Sequence, residues 1–265
     1  MGRLSEYYPV AIVTGPSSGL GNAFAQMLLD AGVHVIGVSR RPDVFSGIAN
    51  YEPVVCDLSD LNAVEAVILR ILSERPEVQL VINNAGYGVL DDLGAMTAAD
   101  IERQYAVMLT APTLIASAAV RHFKKRGVGC LVNVSSLAVE LPLPLMSIYN
   151  SCKAGLSGLS KSLMLDEVDD RYQVIDFRPG DFNTSFAERM EGQLKWNGVD
   201  LRAVMDRHHA VAPKVGLAVE GLRRALLRQA SGIVRVGDFF QSRIAPLGVL
   251  LPWRWLLRII RRYYQ

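Results

Sequence analysis

The sequence predicts an α/β fold in which one doubly wound parallel sheet is covered by helices on both sides. Short, β-branched apolar runs have no polar face, and they alternate with longer helical patterns. With 265 residues, half of them hydrophobic, the chain is long enough for one large domain. Strands that are apolar on both faces need helices on each face, and right-handed crossovers then give a Rossmann-like sheet.

Six apolar runs are candidate strands, a seventh is weaker, and four longer stretches are candidate helices. The strand runs are residues 10–13, 33–38, 54–55, 80–82, 130–134 and 174–177, with 233–236 as the seventh. The helical stretches are residues 22–30, 101–123, 149–165 and one that runs to Leu72, for which Asp57, Ser59 and Asp60 are suitable N-caps. Because no linker or repeat interrupts this alternation, we expect one catalytic domain over residues 1–245 and a tail over 246–265.

Composition excludes several classes of protein. The net charge of +2 is too small to indicate nucleic-acid binding. Cys56, Cys130 and Cys152 lack metal-ligand spacing, so we expect no metal and interpret them as reduced thiols of a cytoplasmic protein. The N-terminus does not resemble a signal peptide, and we find no run of about 18 apolar residues that would span a membrane.

A glycine-rich turn follows the first predicted strand and precedes the first helix. Gly15 permits a sharp turn, Gly19 lets the backbone approach a pyrophosphate, and Gly21 allows close packing of the helix. Amides at the start of that helix would then meet the phosphates. The alternative is a tight strand–helix turn that binds no ligand.

The ends of the next strands indicate which dinucleotide would bind. An NAD site usually has a carboxylate after the second strand, whereas this chain has Ser39, Arg40 and Arg41. A guanidinium suits the 2′-phosphate of NADP(H), unless these arginines are only solvated loop charges. Asp57 could accept a hydrogen bond from adenine, cap the next helix, or do both. Residues 83–86, Asn-Asn-Ala-Gly, either leave room for the cofactor ribose or form a plain turn.

Tyr149 and Lys153 stand four residues apart and share a helix face. A nearby ammonium lowers the pKa of a phenol, so Tyr149 could donate a proton to a ketone oxygen or remove one from an alcohol. Ser136 follows a strand and could stabilise negative charge on the same oxygen. Alone, a Tyr-x-x-x-Lys pair is usually a solvated helix face; with the serine and the glycine turn it predicts hydride chemistry at a carbonyl.

Over residues 8 to 190 the chain resembles the compact, single-domain branch of the short-chain dehydrogenase/reductase family. The Tyr–Lys spacing argues against the enoyl-reductase branch, and the length argues against the extended epimerase branch. The motifs that carry the resemblance are Thr14-Gly15-x-x-x-Gly19-x-Gly21, Asp57, Asn83-Asn84-Ala85-Gly86, Ser136, Tyr149-x-x-x-Lys153 and Pro179-Gly180.

The resemblance implies a role for each matching residue. Ser136, Tyr149 and Lys153 would be catalytic, Lys153 would also hold the nicotinamide ribose, and Thr184 would bond the carboxamide. The full implied set of NADP(H) contacts is Gly15, Ser17, Ser18, Gly19, Leu20, Gly21, Ser39, Arg40, Asp57, Asn83, Ala85, Gly86, Tyr149, Lys153, Pro179, Gly180 and Thr184.

One position departs from the family. Members of the family commonly have an asparagine in the helix after the fourth strand, where it positions a water bound to the lysine. In our alignment Met108 occupies that position in this chain. A thioether is at best a weak acceptor, so the water relay would be weakened, rerouted or absent. An NADP(H)-binding regulator or scaffold with an impaired active site is therefore the alternative to an enzyme.

Two apolar segments remain. Residues 181–212 would form a lid over a hydrophobic carbonyl or alcohol substrate, unless they are ordinary surface packing. After Asp238 the chain has five arginines and no acid, so this segment carries +5 and the rest of the chain −3. A helix starting after Pro252 would suit an anionic membrane surface, or would pack on its own domain or on a second subunit of a homodimer or homotetramer. The apolar residues of the predicted lid are Phe182, Phe186, Met190, Leu194, Trp196, Leu201, Val204 and Met205.

Overall fold

A computed structural model describes residues 3–169, 171–184, 186, 190–192, 195–196, 199–201, 203–204, 207 and 212–263. Its centre is a seven-stranded, entirely parallel sheet. The strands are β1 (Val10–Thr14), β2 (His34–Ser39), β3 (Tyr51–Val55), β4 (Val78–Asn83), β6 (Cys130–Val134), β7 (Gln173–Pro179) and β11 (Gly232–Val236). Their order across the sheet is β11-β7-β6-β4-β1-β2-β3, so the predicted doubly wound fold is confirmed.

Helices cover both faces of the sheet. On one face α2 (Gly19–Asp30) packs against α7 (Val215–Arg228), and Phe24 meets Phe177 of β7 edge-on at 5.6 Å between ring centroids. On the other, α3 (Leu61–Glu74) packs against α5 (Ala111–Arg126), with α6 (Ser147–Asp166) beside them. Both layers bury continuous apolar clusters, which is the arrangement that strands apolar on two faces require.

Several predicted boundaries differ from the observed ones. The first long helix begins at Gly19 rather than at residue 22, and β3 extends back to Tyr51. Pro53 fits inside β3 because that strand is at the sheet edge, where a missing N–H breaks no ladder. The side chain of Asp60, not that of Asp57, caps α3 by accepting from the amide of Ala63 at 3.0 Å. The helices α1 (Leu4–Tyr7) and α7 were not predicted.

The predicted helix over residues 101–123 is interrupted. It divides into α4 (Ala98–Tyr105), a π-helical turn (Ala106–Thr110) and α5. Pro112 explains the irregularity, because it has no N–H to donate to the carbonyl four residues earlier, that of Met108. By length and composition alone the run Ala98–Arg126 could cross a membrane, contrary to the expectation that no segment is apolar enough. Half of its most apolar window is buried on the sheet, as in a core helix.

Residues after β7 form short elements. Strand β5 (Val89–Leu90) pairs in parallel with β8 (Glu191–Gly192), which joins the predicted lid to the loop after β4. Strands β9 (Lys195–Trp196) and β10 (Val199–Asp200) pair antiparallel. Of the predicted lid residues, Leu194 and Met205 lie outside the described residues, as does the side chain of Trp196. The helix predicted after Pro252 is confirmed as α8 (Trp253–Tyr263).

Candidate active site

The glycine turn between β1 and α2 has the geometry that its sequence predicts. Gly15 and Gly19 have φ angles of +68° and +57°, a region that side chains with a Cβ rarely adopt. A Cβ on Gly21 would lie 2.2 Å from the carbonyl oxygen of Gly15 and 2.3 Å from Nδ2 of Asn84. Gly21 is therefore required by packing beneath the turn, while the other two glycines shape its path.

Thr14 and Asn84 join the glycine turn to the loop after β4. The Thr14 hydroxyl accepts hydrogen bonds from the amides of Asn84 and Ala85 at 3.0 and 3.1 Å. Asn84 Nδ2 donates to the Thr14 carbonyl at 3.0 Å. These bonds fix two neighbouring loops at the carboxyl edge of the sheet, where doubly wound folds bind ligands.

Asn83 does not occupy the place assigned to it from the sequence. It is the last residue of β4 and is buried, and its Nδ2 donates to the Pro112 carbonyl at 3.0 Å and to Asn133 Oδ1 at 2.9 Å. Successive residues at a strand end point in opposite directions, so Asn84 faces the ligand side instead. The expectation of Asn83 as a cofactor contact is thus corrected to a structural role inside the domain.

A cleft of about 710 Å³ opens along this edge and joins the predicted cofactor and reaction residues. Such a volume is within the usual range for cofactor and small-molecule sites. Gly21 lies beneath it, and Thr184 packs above Gly19. The predicted site residues that line the cleft are Gly15, Ser17, Ser18, Gly19, Leu20, Ser39, Arg40, Asp57, Ala85, Gly86, Ser136, Tyr149, Lys153, Pro179, Gly180 and Thr184.

One end of the cleft is rich in guanidinium groups. Arg40, Arg41 and Arg103 all line it. The pKa of Asp57 is lowered chiefly by a hydrogen bond from the amide of Ser59, and the charges of Arg40 and Arg103 add to this effect. Arg103 lies over the Tyr87 ring at 5.8 Å and was missed in the sequence, where it looks like any polar residue of a surface helix. Three cations around one pocket suit a phosphate-bearing ligand.

The reaction residues meet at the centre of the cleft. All three side chains are buried or nearly so, and Nζ of Lys153 lies 5.8 Å from the centroid of the Tyr149 ring. Lys153 donates to the carbonyl of Val134, the last residue of β6, at 2.8 Å. Ser136 comes two residues later, and its hydroxyl accepts from the amide of Ala138 at 3.0 Å. Strand β6 and helix α6 together position the trio.

Burial decides the protonation of this pair. It raises the pKa of Tyr149 to about 12, and a hydrogen bond with Ser136 opposes the rise only in part. Burial also lowers the pKa of Lys153 to about 8. The lowered phenol pKa expected from the sequence is therefore wrong for this state, because loss of solvent outweighs the nearby ammonium. At neutral pH Tyr149 is a protonated phenol, ready to donate rather than accept a proton.

A buried ionic network supports α6 from below. Asp176 of β7 accepts from Arg178 Nε at 2.8 Å and from the hydroxyl of Ser157, one turn beyond Lys153, at 2.7 Å. Arg178 also pairs with Glu140, which in turn accepts from Arg235. This network was not predicted from the sequence, although an aspartate inside an otherwise apolar strand is a signal of it.

Met108 lies behind the cleft, next to the cleft residue Gly86. It is fully buried in the π-helical turn. A Cβ on Gly86 would lie 3.5 Å from Nζ of Lys153 and 3.7 Å from Sδ of Met108, so sulfur and ammonium border the same glycine. A thioether here offers the ammonium no donor and only a weak acceptor.

The opposite end of the cleft is apolar. Leu143, Pro144 and Met146 come from the loop before α6, and Phe186 and Met190 come from the predicted lid. The Phe186 ring lies 5.9 Å from that of Tyr149, so a reacting carbonyl at the phenol would have apolar neighbours.

Comparison with known proteins agrees with this geometry. The family model for the short chain dehydrogenases matches residues 9–195. The chain belongs to the short-chain dehydrogenase/reductase family. Its fold is also that of a short-chain dehydrogenase from Streptomyces avermitilis, with a TM-score of 0.81, 25% identity and 97% of each chain covered. A short-chain dehydrogenase from Sphingobium yanoikuyae in complex with NADPH gives a TM-score of 0.71 at 24% identity, covering 86% of this chain and 87% of that one.

Curated members of the family have varied substrates in their names. The chain is 30% identical over 179 residues to a 3-ketodihydrosphingosine reductase from Bacteroides thetaiotaomicron, covering 68% of this chain and 66% of that protein. It is 29% identical over 185 residues to a 2-dehydro-3-deoxy-D-gluconate 5-dehydrogenase from Formosa agariphila, covering 66% and 70%. The match to the first of these spans just under two thirds of the relative's own length.

Proposed function

We propose that this protein is an NADP(H)-dependent oxidoreductase that interconverts a hydrophobic ketone or aldehyde and the corresponding alcohol. The observation that carries the proposal is the meeting of Ser136, Tyr149 and Lys153 in one cleft with the glycine turn. A bound nicotinamide would supply or accept the hydride. The chain's own residues would orient the carbonyl and move the proton.

The protonation of the trio supports ketone reduction. With its pKa raised to about 12, Tyr149 holds a proton that it can give to the oxygen of a carbonyl being reduced. Ser136 would donate a hydrogen bond to that oxygen as negative charge develops. Lys153, held by the Val134 carbonyl, would support the phenolate that remains.

The cations at the far end support NADP(H) over NAD(H). Ser39 stands where an NAD site usually has a carboxylate, and Arg40, Arg41 and Arg103 surround the same end of the cleft. Neighbours of the same fold include a short-chain dehydrogenase in complex with NADPH and a metagenomic short-chain oxidoreductase in complex with NADP. A 2′-phosphate would offer these guanidiniums charge-assisted hydrogen bonds.

The apolar end favours a hydrophobic substrate. A relative named as a 3-ketodihydrosphingosine reductase makes a long-chain ketone the first compound to test. We expect the active form to be a homodimer or a homotetramer, which size-exclusion chromatography with light scattering would measure.

The test is NADPH oxidation with a panel of long-chain and cyclic ketones. Wild type should turn over at least one of them, and Tyr149→Phe should lose about 100- to 10,000-fold in turnover while still binding NADPH. Tyr105→Phe is the matched control, because it removes a hydroxyl that bonds Ser151 on the surface. Equal turnover by Tyr149→Phe and wild type would exclude the proposed acid.

Met108 favours a second candidate function, an NADP(H)-binding regulator or scaffold. Its buried thioether stands at the place where the family commonly has an asparagine. The same assay separates the two candidates: tight NADPH binding with no turnover of any ketone would support the regulator.

A further inference from the structure

The chain after Asp238 exposes an unusual amount of apolar surface. Nine of the twenty large hydrophobic side chains exposed in the described part of the chain lie between residues 239 and 259. Such clustering marks an interaction site, whereas single exposed apolar residues are ordinary. The six of these residues that belong to the tail, here called the tail surface, are Leu247, Leu250, Leu251, Trp253, Trp255 and Ile259.

Helix α8 combines this surface with a basic face. Trp255 and Ile259 are one turn apart and are 61% and 50% exposed. Arg258 and Arg262 lie one turn apart beside them, and the Arg258 guanidinium is 5.9 Å from the Trp255 ring centroid. Leu256, on the apolar side of the same helix, faces the rest of the protein, because it is buried and contacts the buried Gly248. The helix is therefore anchored along one strip and leaves aromatic and cationic side chains in the solvent.

The tail and the residues just before it are joined to the rim of the cleft. Gln241 accepts from the amide of Asp181 at 3.2 Å and donates to its carboxylate at 3.0 Å, just beyond the cleft residue Gly180. Gly248 packs near Leu141, which begins the loop that gives Leu143 and Met146 to the apolar end. A partner bound to the tail surface would consequently lie beside the site.

Charge decides what that partner is. Residues 239–265 hold five arginines and no aspartate or glutamate. Symmetric pairing with a second copy through this surface would place one set of arginines against the other, with no carboxylate in the segment to offset them. An anionic bilayer suits both the arginines and the exposed apolar side chains, because its headgroups attract arginine and its interface accepts tryptophan and aliphatic side chains.

We propose that the tail surface docks the protein peripherally on anionic lipid bilayers. The exposed tryptophan, leucine and isoleucine side chains enter the interface, and the arginines contact lipid phosphates and carboxylates. Docking itself does not depend on the proposed reaction. Where that reaction holds, the docked cleft receives an apolar carbonyl compound directly from the bilayer.

The test is co-sedimentation of the full chain with lipid vesicles, without cofactor or ketone. Wild type should sediment with vesicles of phosphatidylcholine containing about 30% phosphatidylserine, far less with phosphatidylcholine alone, and less as salt is raised. Trp255→Ser/Ile259→Ser and Arg258→Glu/Arg262→Glu should each reduce the partition coefficient about tenfold or more. Leu69→Ser/Leu165→Ser and Lys124→Glu/Lys125→Glu are matched controls on exposed positions outside the tail and should bind as wild type does.

A circular dichroism spectrum equal to that of wild type shows that each variant is folded. Equal sedimentation of the tail variants and wild type, or no sedimentation of wild type, overturns the proposal. So does a dimer in solution that Trp255→Ser/Ile259→Ser converts to monomer with no vesicle binding by wild type, which would assign the surface to a second copy. Because the assay contains no substrate, a negative result leaves the proposed reductase untouched, and loss of turnover by Tyr149→Phe leaves the docking untouched.

Discussion

The reaction centre and the tail surface depart from the usual distribution of polarity in opposite directions. At the reaction centre the buried side chains include a lysine, an aspartate and an arginine. At the tail the exposed ones include two tryptophans and three leucines. Folding alone would put the charges outside and the hydrophobic groups inside. Both departures cost stability in water, so both indicate regions kept for binding or chemistry.

The two regions differ in how the departure is compensated. Each buried charge of the centre has a partner within the domain: Asp176 has Arg178 and Ser157, and Lys153 has the Val134 carbonyl. The segment after Asp238 supplies no acid of its own for its five arginines. The centre is thus complete within the fold, whereas the tail surface is where we propose a partner outside the fold.

The largest effect we expect is a loss of folding stability when one partner is removed from the buried ionic network beneath α6. Asp176→Ala would remove one of the two carboxylates that pair with the buried Arg178, and we expect the free energy of unfolding to fall by about 3 kcal/mol. Urea denaturation followed by circular dichroism measures it. Asp166→Ala, at an exposed aspartate, is the control. A loss under about 1 kcal/mol for Asp176→Ala would mean that the network is not an energetic unit of the fold.

Charge reversal at the cofactor end comes next. Arg40→Asp should weaken NADPH binding about tenfold or more while NADH binding stays level or improves, because a charge-assisted bond to the 2′-phosphate is lost. Arg40 is exposed, so screening keeps the effect near the lower end of that range. Fluorescence titration of both cofactors measures it, with Arg70→Asp on the outer face of α3 as the control. An unchanged NADPH to NADH ratio would remove Arg40 from the proposed phosphate site.

The titration of Lys153 should make the rate of ketone reduction depend gradually on pH. Its pKa is lowered to about 8, so the ammonium is present below that pH and is lost above it. The value of kcat/KM for ketone reduction should fall above about pH 8 by up to tenfold per pH unit. Tyr149 contributes no second bend in this range, because its pKa is raised to about 12. A profile that is flat to pH 10 would show that the charge of Lys153 is not needed.

The sequence predicted the parts of the molecule that depend on local pattern. Period and turn chemistry located the seven strands, and fixed spacing located Tyr149, Lys153 and the glycine turn. Residues defined by contacts between distant elements were not predictable in this way. Arg103 lines the cleft from α4, and Asn83 and Asn84 exchange roles through one step of strand alternation. The predicted lowering of the pKa of Tyr149 was wrong for a similar reason, because spacing shows the neighbouring ammonium but not the depth of burial.

The smallest effect we expect is a change in folding stability at the tail, and it tests most directly whether the tail surface differs from the packed interior. Trp255→Ser on the exposed side of α8 should change the free energy of unfolding by no more than about 0.5 kcal/mol, since the ring is 61% exposed and gives up little packing. Leu256→Ala, the neighbouring residue on the buried side, should cost about 2 kcal/mol or more. Urea denaturation of both variants makes the comparison within a single helical turn. Equal losses would mean that the Trp255 side of the helix is packed against protein, and the tail would then belong with the core rather than with the binding surfaces.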